Sequence, residues 1–190
     1  MYKTLIKLSS IILLAAFIQA CLPMAAVSAG SAVNDRRTAG TMIDDQNIEF
    51  KVYNLISKDP ELSEQAHISV TSYNKIVLLT GQTPTAEMRS RMESLASSVE
   101  NVRRVQNELT IEDPNTLTTR SQDTWLTSKV KTSLLKIDMP GFDITRVKVV
   151  SENKTVFLMG LLTKEESEAV IDVVKKVTGI ERIVKIFEYV

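Results

Sequence analysis

From Thr41 onward this chain is written twice, and that doubling constrains its fold more than any single motif. Asn74-Lys-Ile-Val-Leu-Leu-Thr-Gly81 returns as Asn153-Lys-Thr-Val-Phe-Leu-Met-Gly160, with Asn, Lys, Val, Leu and Gly in register. Slightly offset from that spacing, Lys51-Val52 answers to Lys129-Val130, and Val99-Glu-Asn-Val-Arg-Arg-Val105 to Val177-Thr-Gly-Ile-Glu-Arg-Ile183. Self-similarity at a fixed spacing means that one supersecondary unit is used twice. The fold must therefore be buildable from roughly 70 residues.

Both copies spell the same order of elements. Ile48, Val52, Leu55 and Ile56 in the first, and Leu126, Val130, Leu134 and Ile137 in the second, share one stripe at helical spacing. Ile68 to Tyr73 alternates, as does Val147 to Val149, and each runs into an Asn-Lys turn and an apolar run ending at Gly81 or Gly160, the pattern of a hairpin. A second helix is expected to start at Thr83-Pro84, a cap followed by proline, or at Thr163-Lys-Glu-Glu166, a capping box. Its buried stripe would be Met88, Met92, Leu95 and Val99 in one copy and Val170, Val173, Val174 and Val177 in the other. A last strand follows, Val105 to Ile111 and Ile183 to Val190. The expected fold class is α+β: two tandem αββαβ domains, each a three-stranded sheet with both helices on one face.

Ahead of the repeats, Lys3 and Lys7 precede the apolar run Ile11 to Ile18, and residues 1–20 read as an export signal. The run is shorter than the roughly 20 residues that cross a bilayer. Ile18-Gln19-Ala20-Cys21 resembles the lipobox of bacterial lipoproteins, which implies cleavage before Cys21 and lipidation of its thiol. Residue 22 is Leu where an Asp would imply inner-membrane retention, so the resemblance implies the periplasmic face of the outer membrane. Residues 21–40 are rich in Ala, Ser and Gly and read as a lipidated tether with a root-mean-square reach of about 24 Å. The domains then fall at 41–112 and 121–190, with 113–120 as linker.

The composition closes several functional classes. With 23 basic and 23 acidic residues the chain lacks the cationic excess that sequence-independent nucleic-acid binding needs. One Cys and one His leave no intrachain disulfide and no Cys/His zinc cluster, and no metal or other cofactor is expected. His67 has no partner carboxylate or serine in a catalytic constellation, so no enzymatic activity and no small-molecule substrate are expected. Asp44-Asp45 and Glu165-Glu166 read as negative charge at helix starts, Gly81 and Gly160 as turn residues, and Met88 and Met92 as core filler.

The element order, the Gly ending the second strand, and the closing Val99/Val102 and Val177/Ile180 pairs resemble the BON domain. Asp123 to Val130 and Val156 to Leu161 are the most specific part of the likeness. Two such domains behind a lipobox resemble periplasmic lipoproteins that bind anionic phospholipid and support envelope integrity.

Comparing the copies points to a site. Opposite the buried stripe, the first helix of copy two carries Trp125, Ser128, Lys129, Lys131, Thr132, Leu135 and Lys136, where copy one has Asn47, Phe50, Lys51, Tyr53, Asn54, Ser57 and Lys58. Residues 41–112 carry 7 basic and 11 acidic side chains, and residues 121–190 carry 11 and 10, so copy two suits an anionic surface better. Trp favours the headgroup zone and Lys reaches phosphate while laying its stem along apolar surface. Lys129, Lys131 and Lys136 together would supply roughly 3 kcal/mol at an anionic leaflet, enough to orient a tethered lobe. The resemblance implies the same helix as the phospholipid contact. A second reading keeps Trp125 in an interface, with the other lobe or with an envelope protein, and makes the chain a protein-interaction adaptor.

Overall fold

The computed structural model describes residues 34–190 apart from Asn115. The expected signal peptide, Cys21 and most of the tether lie outside the described residues.

In the first copy α1 (Ala39–Lys58) is capped by Thr38, whose hydroxyl accepts from Thr41 N. It ends at Asp59, where Pro60 cannot continue the ladder and instead opens the short α2 (Pro60–Gln65), with Asp59 capping Leu62 N. Strands β1 (His67–Tyr73) and β2 (Ile76–Thr83) pair antiparallel. Helix α3 (Ala86–Ser97) returns the chain so that β3 (Arg104–Asn107) and the two-residue β4 (Thr110–Ile111) pair parallel to β2. In the second copy α4 (Leu117–Leu134) leads through a 3-10 turn at Ile144–Arg146 to β5 (Val147–Glu152) and β6 (Thr155–Leu162). Helix α5 (Lys164–Val174) then brings β7 (Arg182–Tyr189) parallel to β6.

One side of each sheet meets its helices. Val77 and Leu79 pack with Ile48, Val52 and Met92; Val156 and Leu158 pack with Val130, Leu134 and Val170. The intervening residues point the other way and form a third core shared by the lobes: Tyr73, Ile76, Leu78, Phe157, Met159 and Ile186. Burial on both faces is why β2 and β6 read as unbroken apolar runs. Polar pairs ring this shared core, with Tyr73 Oη donating to Arg146 O at 3.0 Å, Gln82 to Glu152 at 2.8 Å and Arg182 to Glu108 at 3.0 Å. The two arginines before α1 strap both lobes: Arg36 binds Glu166 and Leu161 O, while Arg37 binds Asp45 and stacks 3.8 Å from the Tyr73 ring.

Several local expectations are corrected. Thr85, not Thr83, caps α3, because Thr83 still belongs to β2. Helix α1 starts at Ala39 within the expected tether and α4 at Leu117 within the expected linker, while Ile137 lies beyond the end of α4. The last strand of copy one breaks at Glu108-Leu109, where buried Leu109 turns into the core and Asn107 Oδ1 accepts its N–H. Gly81 and Gly160 are strand residues rather than turns: a Cβ would sit 2.0 Å from His67 O at the first and 2.9 Å from Arg146 O at the second. The turns are Asn74-Lys75 and Asn153-Lys154, all four at positive φ, as a two-residue type I′ hairpin requires.

Asp45 lies in the body of α1, 3% exposed, and does more than complement a dipole: it accepts from Ser72 Oγ, Asn74 N, Lys75 N and Arg37. Asp123 repeats the device, accepting from Asn153 N and Lys154 N. Glu166 completes the capping box with Thr163 and is also the buried partner of Arg36 and Arg146. Burial alone would raise its carboxyl, but the hydrogen bonds from Arg36, Thr163 N and Arg146 outweigh that and hold it below the ordinary value.

Candidate functional site

The inward side of α4 holds Leu126, Val130 and Leu134 in the core, so by helical spacing Trp125, Ser128, Thr132 and Leu135 face outward. Trp125 is 62% and Leu135 65% exposed. The inter-lobe core does not include Trp125, which overturns the inter-lobe form of the second reading.

Trp125, Ser128, Lys129, Thr132 and Lys136 form one wall of an open groove of about 670 Å³. The other wall comes from the C-terminal end of α5 and the turn after it: Val173, Lys176, Val177 and Thr178, with Ser133 at the base of α4. Val170 and Val174 are the buried core positions and Val177 packs half-buried against that core while also lining the groove; Val173, expected in the buried stripe, is a half-buried groove residue.

Lys129 ties the walls together. Its ammonium donates to Thr178 O at 2.7 Å and Thr178 Oγ1 at 2.9 Å, and it lies 4.4 Å from the centre of the Trp125 ring. A carbonyl past a helix C-terminus is electron-rich and unsatisfied by its own helix, so a lysine there is favourable. The hydroxyls of Ser128 and Thr132 donate back to Thr124 O and Ser128 O, so they offer an outside group only acceptor lone pairs. Their contribution to the groove is their small size. Lys131 is exposed on α4 outside this groove, beside Leu134, Ile144 and Val147. Among the described residues, none of Lys129, Lys131, Lys136 and Lys176 forms an ion pair with a carboxylate, whereas Lys51 of the first lobe reaches Glu100 at 3.5 Å.

Sequence reasoning missed the α5 wall, although the repeat carried the signal. Lys176 and Thr178 stand where copy one has Ser98 and Glu100, a change from neutral and acidic to basic and neutral.

Elsewhere, His67 opens β1 half-buried; burial lowers its pKa, Arg120 lowers it further, and Glu152 opposes both. The described residues include no cluster of His, Cys, Asp or Glu able to hold a metal ion, and no helix among them is long and apolar enough to cross a membrane.

A model of the BON domain matches residues 44–113 and again 122–190. Over 179 residues the chain is 40% identical to the outer membrane lipoprotein DolP of Haemophilus influenzae, covering 91% of this chain and 90% of that one. It is 36% identical over 156 residues to a 21 kDa hemolysin of Actinobacillus pleuropneumoniae, covering 82% and 79%. Among solved structures, CdsD, a structural protein of the type III secretion system of Chlamydia trachomatis, aligns over 77% of this chain and 63% of that one, at 16% identity and a TM-score of 0.30.

Proposed function

The chain belongs to the BON-domain family, and from that premise we propose that it is an outer-membrane lipoprotein whose second lobe contacts anionic phospholipid and so supports the envelope. Cys21 carries the anchor on the periplasmic face, and the role is one of binding rather than catalysis. The observation that carries the reading is the face of α4. It joins an exposed Trp125 and Leu135 to lysines without carboxylate partners, on the lobe with the more basic balance. Trp125, Leu135, Lys129, Lys131 and Lys136 are the contact residues, with Ser128 and Thr132 keeping the surface low between them. An indole at the headgroup level and ammonium groups beside phosphate are both favourable there. The similarity to a protein named as an outer membrane lipoprotein supports the location.

The test is co-sedimentation of the mature chain from residue 21, carrying Cys21→Ser in place of the lipid, with vesicles. Binding should require anionic lipid and fall on Trp125→Glu. Equal recovery with purely zwitterionic vesicles would reject the proposal. A photo-crosslinker at position 125 that yields a protein adduct in place of lipid would favour the adaptor reading.

A further inference from the structure

We infer that the groove between α4 and α5 seats one anionic lipid molecule at a time, with Lys176 and Lys136 taking the headgroup phosphate and the Val173–Val177 side of α5 taking the start of an acyl chain. This rests on the lipid-contact reading above and goes beyond it: a helix face that only adheres to a bilayer needs no second wall and no fixed stoichiometry.

Three observations converge. The first is size, since about 670 Å³ falls within the roughly 300–1,000 Å³ of small-molecule sites. The groove is open along one side, which suits a ligand that leaves part of itself in a membrane. The second is the arrangement of chemistry: Val173, Val177 and the Trp125 ring supply the apolar surface, while Lys129, Lys136 and Lys176 are the cations, none of them neutralised by a carboxylate among the described residues. That charge pattern is complementary to a phosphate diester above a hydrocarbon chain.

The third is how the site is kept free. Ser128, Thr132 and Ser133 line it where the first lobe has Phe50, Asn54 and Leu55, and the Ser128 and Thr132 hydroxyls are turned back on their own helix. Lys129 gives two of its three N–H donors to Thr178 and lies over the Trp125 ring, so within the groove it acts chiefly as a positioning residue that holds the walls together. The phosphate therefore falls to Lys176 and Lys136, which have no such commitments to Thr178 or to the indole.

The experiment titrates the mature Cys21→Ser chain with dihexanoyl phosphatidylglycerol below its micelle-forming concentration, followed by residue-resolved NMR, with dihexanoyl phosphatidylcholine as the comparison. Expected is saturable one-to-one binding of the anionic lipid, with shifts at Val173, Lys176 and Thr178 as well as Trp125. Val173→Phe adds a ring to the half-buried α5 wall of the groove, away from the α4 face assigned to the bilayer. It should lower affinity for the monomeric lipid at least about 10-fold while vesicle binding is retained, because the α4 contact residues are untouched. Lys176→Gln should cost about 5-fold for the anionic lipid and leave the zwitterionic lipid unchanged. Vesicle binding without saturable monomer binding, or monomer binding unmoved by both Val173→Phe and Lys176→Gln, would overturn the groove while leaving the bilayer contact standing. Loss of vesicle binding in the unmodified sequence would remove the bilayer contact itself.

Discussion

Helices α1 and α4 occupy the same place in their lobes, and what separates them shows which parts of the unit serve the fold. Both bury a Val and an Ile or Leu stripe against the sheet, and both turn a buried aspartate to the hairpin amides. Outward they diverge. Helix α1 shows Phe50 at 73% exposure beside a Lys51 that is paired to Glu100, while α4 shows Trp125 beside a Lys129 that is paired only to neutral oxygens. The shared features hold the fold, so function is sought in the differences.

The largest effects should come from breaking what the lobes share. Asp45→Ala removes the acceptor of a buried hydroxyl and two turn amides and takes one partner from Arg37, and should cost about 3–5 kcal/mol in urea unfolding. Asp123→Ala removes two amide bonds only, at 3.0 and 3.3 Å, and should cost about 1–3 kcal/mol. Equal losses would mean that the two carboxylates do the same work despite their different partners.

Next comes the difference itself. Trp125→Glu should weaken binding to anionic vesicles by about 2 kcal/mol, roughly 30-fold, whereas Phe50→Glu should change it less than about twofold. A comparable loss at Phe50 would make the first lobe a membrane contact as well. Lys136→Gln should cost about 1 kcal/mol, a deficit that shrinks as salt is raised because the ammonium is exposed.

Much of the fold was legible because repetition doubled each weak signal: helix stripes, Asn-Lys turns and the Thr163 capping box all follow from residue patterns that the structure keeps. Strand ends and caps were less so. Thr83 and Thr85 are equally good caps by composition, and only the continuation of β2 through Thr83 decides between them. The back-to-back core of Leu78, Phe157 and Met159 was hidden for another reason, since a continuous apolar run does not say what its second face meets. At the site, one wall could be read from a single helical wheel. The other depends on α5 ending beside α4, a tertiary fact that no local periodicity reports, although Lys176 against Ser98 hinted at it.

The smallest effect tests a place where one lobe carries a histidine and the other an arginine. His67 and Arg146 stand at equivalent points, each with its carbonyl packed against the strand glycine opposite, Gly81 or Gly160. Arg146 is paired with Glu166 at 2.8 Å. His67 has its pKa lowered by burial and by Arg120, with Glu152 pulling the other way. A lowered value means that the unfolded chain takes up the proton first. The stability contributed by the neutral ring is therefore complete above the ordinary histidine value of about 6.5 and is lost as pH falls through the lower folded value. Because the ring is only half-buried, the slope should stay well below the about 1.4 kcal/mol per pH unit of a full proton. Urea unfolding between roughly pH 5 and 7 should show this shallow decline in the parent sequence and a flatter curve in His67→Gln. An identical slope in both would mean that the first lobe's histidine contributes nothing to the pH dependence of stability across this range.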